Sequence, residues 1–139
     1  MPIDAPNIGR RQHSQGMAIG RVMGVRMNPN SPWMAAMVSA LEDDAGSIQV
    51  TLTLLPGTLA AIAVRPADLR SRPGAQFVPA IMLSAVPALG VEESLLLPAS
   101  FVPPGRGVDI SLPGQAQGKE VTIHEILERG HDADRVSFY

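Results

Sequence analysis

A chain of 139 residues fits one domain, and at that size it buries roughly two-thirds of its unfolded surface without help from a metal or a disulfide. Apolar residues make up 45% and charged residues 17%, with a net charge of −2, which excludes a disordered composition. Ten arginines and Lys119 stand against 13 acidic residues, a balance that argues against nucleic acid as the main partner, and the absence of cysteine excludes disulfides and thiolate chemistry.

Residues 1–16 are polar, contain Pro2, Pro6, Gly9 and Gly16, and show no periodicity, so a flexible N-terminal arm is expected there. Residues 17–139 then form the β-rich domain. Met17, Ile19, Met23, Val25 and Met27 share one face of a first strand, thinned on the other face by Gly20 and Gly24. Residues 31–44 admit two readings. Ser31 as N-cap, Pro32 and a Trp33–Met37–Leu41 stripe would make a helix, but Glu42, Asp43 and Asp44 oppose the dipole at its end. A hairpin turning at "EDDAGS" is therefore favoured.

In "SIQVTLTLL", Ile48, Val50, Leu52 and Leu54 alternate with polar residues and are expected on the core side of a central strand. Further strands are expected at Leu59–Val64, Phe77–Leu83, Ser94–Leu97, Val108–Leu112, Lys119–Ile126 and Arg135–Tyr139, separated by Pro-Gly pairs at 56–57, 73–74 and 113–114 and by "PPG" at 103–105. With 13 glycines and 13 prolines, long helices are disfavoured. The expected fold is mainly β, a small barrel or sandwich of about seven to nine short strands with at most one or two short helices.

Candidate sites are sparse. "DISLPG", Asp109 to Gly114, fits Asp/Asn-x-Ser-x-x-Gly and resembles half of the signature of PilZ domains, small barrels that bind the bacterial messenger cyclic di-GMP. In that family the Asp and Ser act with an upstream Arg-x-x-x-Arg pair. The resemblance implies a nucleotide or cyclic-dinucleotide receptor with Arg106, Asp109 and Ser111 as ligand-binding residues. It covers six residues only, and the arginine pairs here, Arg21 with Arg26 and Arg65 with Arg70, are five apart rather than four. The residues by themselves read as an ordinary strand end: Val108, Ile110 and Leu112 point inward, and Asp109 and Ser111 point to water.

His124, Glu128 and His131 would share one face if "HEILERGHD" were helical, a spacing that could hold a divalent metal, but Gly130 and the strand-like "KEVTI" upstream favour a strand and a charged turn. No Gly-x-Ser-x-Gly elbow or phosphate loop is present.

The leading functional reading is a non-catalytic binding or assembly module, with the small-ligand receptor as the alternative and a metal-dependent enzyme third. No cofactor is expected. Trp33, Met34, Met37 and Leu41 are the expected interface of a homodimer or of contact with a protein partner. With no signal-peptide core and no run of 18 apolar residues, no membrane association is expected and a cytoplasmic protein is.

Overall fold

The structure, a computed structural model, describes the backbone of Pro2–Ile3 together with residues 18–115 and 117–139. Nine strands lie in the described residues: β1 Pro2–Ile3, β2 Val22–Val25, β3 Met34–Asp44, β4 Ser47–Pro66, β5 Val78–Leu83, β6 Ser94–Pro98, β7 Gly107–Ser111, β8 Lys119–Arg129 and β9 Ala133–Phe138. Every pairing between them is antiparallel, and the helical content of the described residues is two single 3-10 turns, Ala67–Leu69 and Pro87–Leu89. Apart from β1, which pairs with β4, the arm expected over residues 1–16 lies outside the described residues.

The second half of β4 pairs with β5, and the chain of neighbours β5–β6–β9–β8–β7 returns to β4, so six strands close on themselves. This closure decides between barrel and sandwich. It removes the free edges that would otherwise invite pairing with other chains. The interior is filled by inward-facing residues of all six strands, among them Ile62, Val64, Leu95, Leu97, Ile110, Ile123 and Val136.

The first half of β4 belongs to a second layer with β2 and β3. Residues 31–44 form a strand of a hairpin and not a helix. Asp44 pairs with Ser47 across Ala45 and Gly46, both at positive φ (51° and 88°), the conformation of the two-residue turn whose twist matches that of the strands. Ala35 and Leu55, with Val22 and Met37, pack against Leu83, Leu96 and Ile81, so this layer covers the outside of the barrel at β5 and β6. The seam is closed by the His131 amide donating to the Gly20 carbonyl at 2.7 Å and the Val22 amide donating to Asp132 at 3.1 Å.

Two expectations are corrected along β4. Pro56–Gly57 does not separate two strands: the strand runs on for 20 residues, bending where Gly57 takes φ +94°. The pairing with β3 also slips there, with Met34 opposite Thr58 but Ala36 opposite Leu54. The slip is two residues, an even number, so Leu54 keeps the face of Val50 and Leu52 but lies outside the apolar cluster that covers them. Val50 and Leu52 are buried as expected, whereas Leu54, beside the slip, is 42% exposed, and Ile48, near the hairpin tip, is exposed as well.

Candidate functional site

On the outer wall of the barrel, three side chains form a rung across three strands. Arg65 on β4 is opposite Asp109 on β7, which in turn is opposite Glu120 on β8. Val108 and Ile110 fill the barrel interior, so the alternation of β7 turns Asp109 outward. It is nonetheless buried. Asp109 is only 6% exposed, because the 3-10 turn at Ala67–Leu69 delivers Arg70 over it.

Arg70 grips Asp109 side-on, with Nε donating to Oδ2 at 3.0 Å and Nη2 donating to Oδ1. Arg65 Nη2 donates to the same Oδ2 at 3.1 Å, while its guanidinium lies 4.4 Å from the ring centroid of Phe77. Arg70 Nη2 also donates to Glu120 Oε1 at 2.6 Å. Like charges directly opposite in a sheet repel, and Arg70 offsets that repulsion between Asp109 and Glu120. Hydrogen bonds from Arg70 hold the Asp109 carboxyl below the usual carboxylate range, with Arg65 adding to the effect against the cost of burial. Asp109 in turn pushes the Arg70 guanidinium further toward its charged form.

That shift fixes the sign of an acid-stability effect. An aspartate whose folded pKa lies below its unfolded value of about 3.9 stabilises the fold fully above that value and loses the contribution as the pH falls through the folded pKa. From about pH 4.5 downward the wild type should therefore lose stability more steeply than Asp109→Asn. Urea titrations at stepped pH measure the two slopes, and equal slopes would mean that the ion pairs contribute nothing to folding.

Beside the rung, Pro66–Arg70, Phe101–Pro103, Gly105–Gly107 and Glu120 line an open groove of about 670 Å³, within the size range of small-ligand sites. Arg70 and Glu120 stand at its edge with side chains each 52% exposed. Of the ligand residues expected from the sequence, Arg106 lines the groove, Asp109 lies behind it holding Arg70, and Ser111, opposite Ala63 on the same wall, is not among the lining residues. Sequence reasoning missed Arg65, Arg70 and Glu120 as site residues.

The metal set is not assembled. β8 is a strand as far as Arg129, so helical spacing does not apply, and its register slips twice between Ile123 and Glu128. His124 lies edge-on to Tyr139, Glu128 approaches Arg135 Nε at 3.4 Å, and no group of three metal-ligating side chains occurs among the described residues. The expected interface is also divided. Met37 and Leu41 pack into the two apolar clusters of the N-terminal layer, and Met34 opens β3 half-buried, opposite Val25. Trp33 is 47% exposed, with Gly24 beneath its ring and the Arg26 guanidinium 4.5 Å from its centroid.

Closed antiparallel strands around an apolar interior, with a groove on the wall, define the chain as a small β-barrel domain. Residues 62–139 match the FimW C-terminal beta-barrel domain, and the chain belongs to that family. The matched segment begins within β4 and takes in every later strand of the barrel. No curated protein and no solved structure matches the chain. No helix among the described residues is long and apolar enough to cross a membrane.

Proposed function

We propose that this chain is a non-catalytic binding module whose barrel takes a phosphate-bearing small ligand of nucleotide type in the groove beside Arg70. One observation carries the reading: a half-exposed guanidinium is held in one orientation by a buried carboxylate at the edge of a groove that Arg106 also lines. A pre-oriented arginine fork suits phosphate oxygens and loses little freedom when it binds them. The sequence pattern that resembles half of the PilZ signature supports the same ligand class, because Arg65 and Arg70 meet Asp109 of that pattern in space although their spacing is five.

Calorimetric titration with GMP, ATP and cyclic di-GMP tests the reading. At least one should bind, and Arg70→Ala or Arg106→Ala should weaken that binding by about tenfold or more. Thr53→Ala, on the exposed face of β4 outside the groove, should leave it unchanged. Absence of binding by all three compounds would sink the proposal.

A further inference from the structure

The barrel is closed, but the N-terminal layer keeps an edge: among the described residues β2 pairs with β3 alone. The Arg21 carbonyl accepts from the Val38 amide, while the Val22 amide turns the other way, to Asp132. Peptide groups alternate in direction along an antiparallel pair, so the N–H and C=O of Gly24 point away from β3 as well. Such an edge is a template for another strand.

We infer that this edge is a homodimer interface, in which β2 pairs antiparallel with β2 of a second copy and Gly24 lies opposite Gly24 on the two-fold axis. Outward-pointing groups meet in that register, and the two glycines exchange a pair of backbone hydrogen bonds with no side chain to hold the strands apart. The surface is then its own complement, as a two-fold interface requires.

Charge selects a second copy over an unrelated strand. The register sets Arg26 of one copy opposite Val22 of the other, where Asp132 holds the Val22 amide. Within its own chain Arg26 lies over Trp33 and donates to the Pro29 carbonyl, and neither it nor Asp132 forms an ion pair among the described residues. Beside Val22 is an open groove of about 280 Å³, walled by Pro79, Ile81, Pro98 and Ala133, with Asp132 its one charged residue. Apolar walls ending in a carboxylate suit the stem and head of an arginine. Because β2 ends at Val25, the second chain can leave the ladder where Asp132 stands.

Apolar exposure points to the same edge. Ile19 and Met27, both largely exposed, flank β2 at its two ends, and antiparallel pairing brings Met27 of one copy toward Ile19 of the other. The two Trp33 rings, each over its own Gly24, come side by side and are covered.

Sedimentation of the full chain tests the interface. The wild type should dimerise with a dissociation constant of about 1–100 μM, as befits a small contact. Emission from Trp33, the single tryptophan, should move to shorter wavelength as the dimer forms. Gly24→Pro removes the outward N–H at a position where an edge strand tolerates proline, and should weaken association by about tenfold or more. Arg26→Gln and Asp132→Asn, which keeps an acceptor for Val22, should each weaken it about three- to tenfold, and the double variant little further. Leu89→Glu, equally exposed on the turn between β5 and β6, should change nothing. Thermal melts check that each variant folds.

A wild type that stays monomeric at about 200 μM overturns the inference. So does a dimer that persists undiminished in folded Gly24→Pro and Arg26→Gln, and additive losses in the double variant overturn the pairing of Arg26 with Asp132.

Discussion

Gly57→Ala should destabilise the protein by about 4 kcal/mol, from roughly 1–2 kcal/mol of left-handed backbone strain and the rest from displaced neighbours. The glycine sits at φ +94° where β4 leaves one layer and enters the other. A methyl group there would overlap the Ser84 carbonyl oxygen and lie 2.9 Å from the Ser84 nitrogen. Ser84 cannot retreat without loss. Its amide donates to the Thr58 carbonyl at 3.0 Å, and its hydroxyl accepts from the Thr58 amide at 2.9 Å. Gly46→Ala is the control, because Gly46 also has positive φ (+88°) but has open space around it, so its cost should stay near 1 kcal/mol. Urea denaturation of the two variants separates strain from collision. Similar losses would show that the approach of Ser84 to the bend does not matter.

Ile123→Ala should cost about 2–5 kcal/mol, a large share of the roughly 5–15 kcal/mol typical of a whole domain. Ile123 is fully buried in the barrel interior, and closed strands cannot collapse easily into the cavity left by the missing atoms. Leu127 on the same strand faces outward and is substantially exposed, so Leu127→Ala should cost well under 1 kcal/mol. Denaturant midpoints that fall equally for both would place the barrel interior on the wrong face of β8.

The strands were legible because alternation of apolar and polar residues is a local property. β5, β6, β7 and β9 lie within a residue or two of their expected bounds, and the turn at Ala45–Gly46 follows from the acidic run that makes a helix unfavourable there. Closure and phase were not legible. Ile48 and Leu54 share the alternation of Val50 and Leu52, but the apolar cluster over that face stops short of both, and how far it extends depends on how β2 and β3 lie against β4.

The site was half legible for a related reason. Asp109 was identified from its own neighbourhood, and its outward direction follows from Val108 and Ile110. Its burial comes from Arg65, which reaches it only through the pairing of β4 with β7, and from Arg70, which reaches it only through the intervening 3-10 turn. A spacing of five departs from a pair four apart. A turn inserted between two arginines makes their separation along the chain a poor guide to their separation in space. Two arginines flanking a Pro-Ala-Asp-Leu turn, each free to cover the next strand, were the available signal.

The closure of the barrel also bears on how it is made. β4 finds β7 only after the intervening strands have been synthesised, with Val64 opposite Ile110, and β6 stays without its second neighbour until Leu95 can meet Val136 on β9. Contacts so distant along the chain demand loop closure before they return any stabilisation, which places folding in the millisecond-to-second range typical of non-local β topologies. On the ribosome the apolar residues of β5 to β8 therefore wait, exposed, for the last strand to emerge. The β2–β3 hairpin and the start of β4 are complete long before that, and their contacts with Leu83 and Leu96 can shield part of the unfinished sheet during the delay.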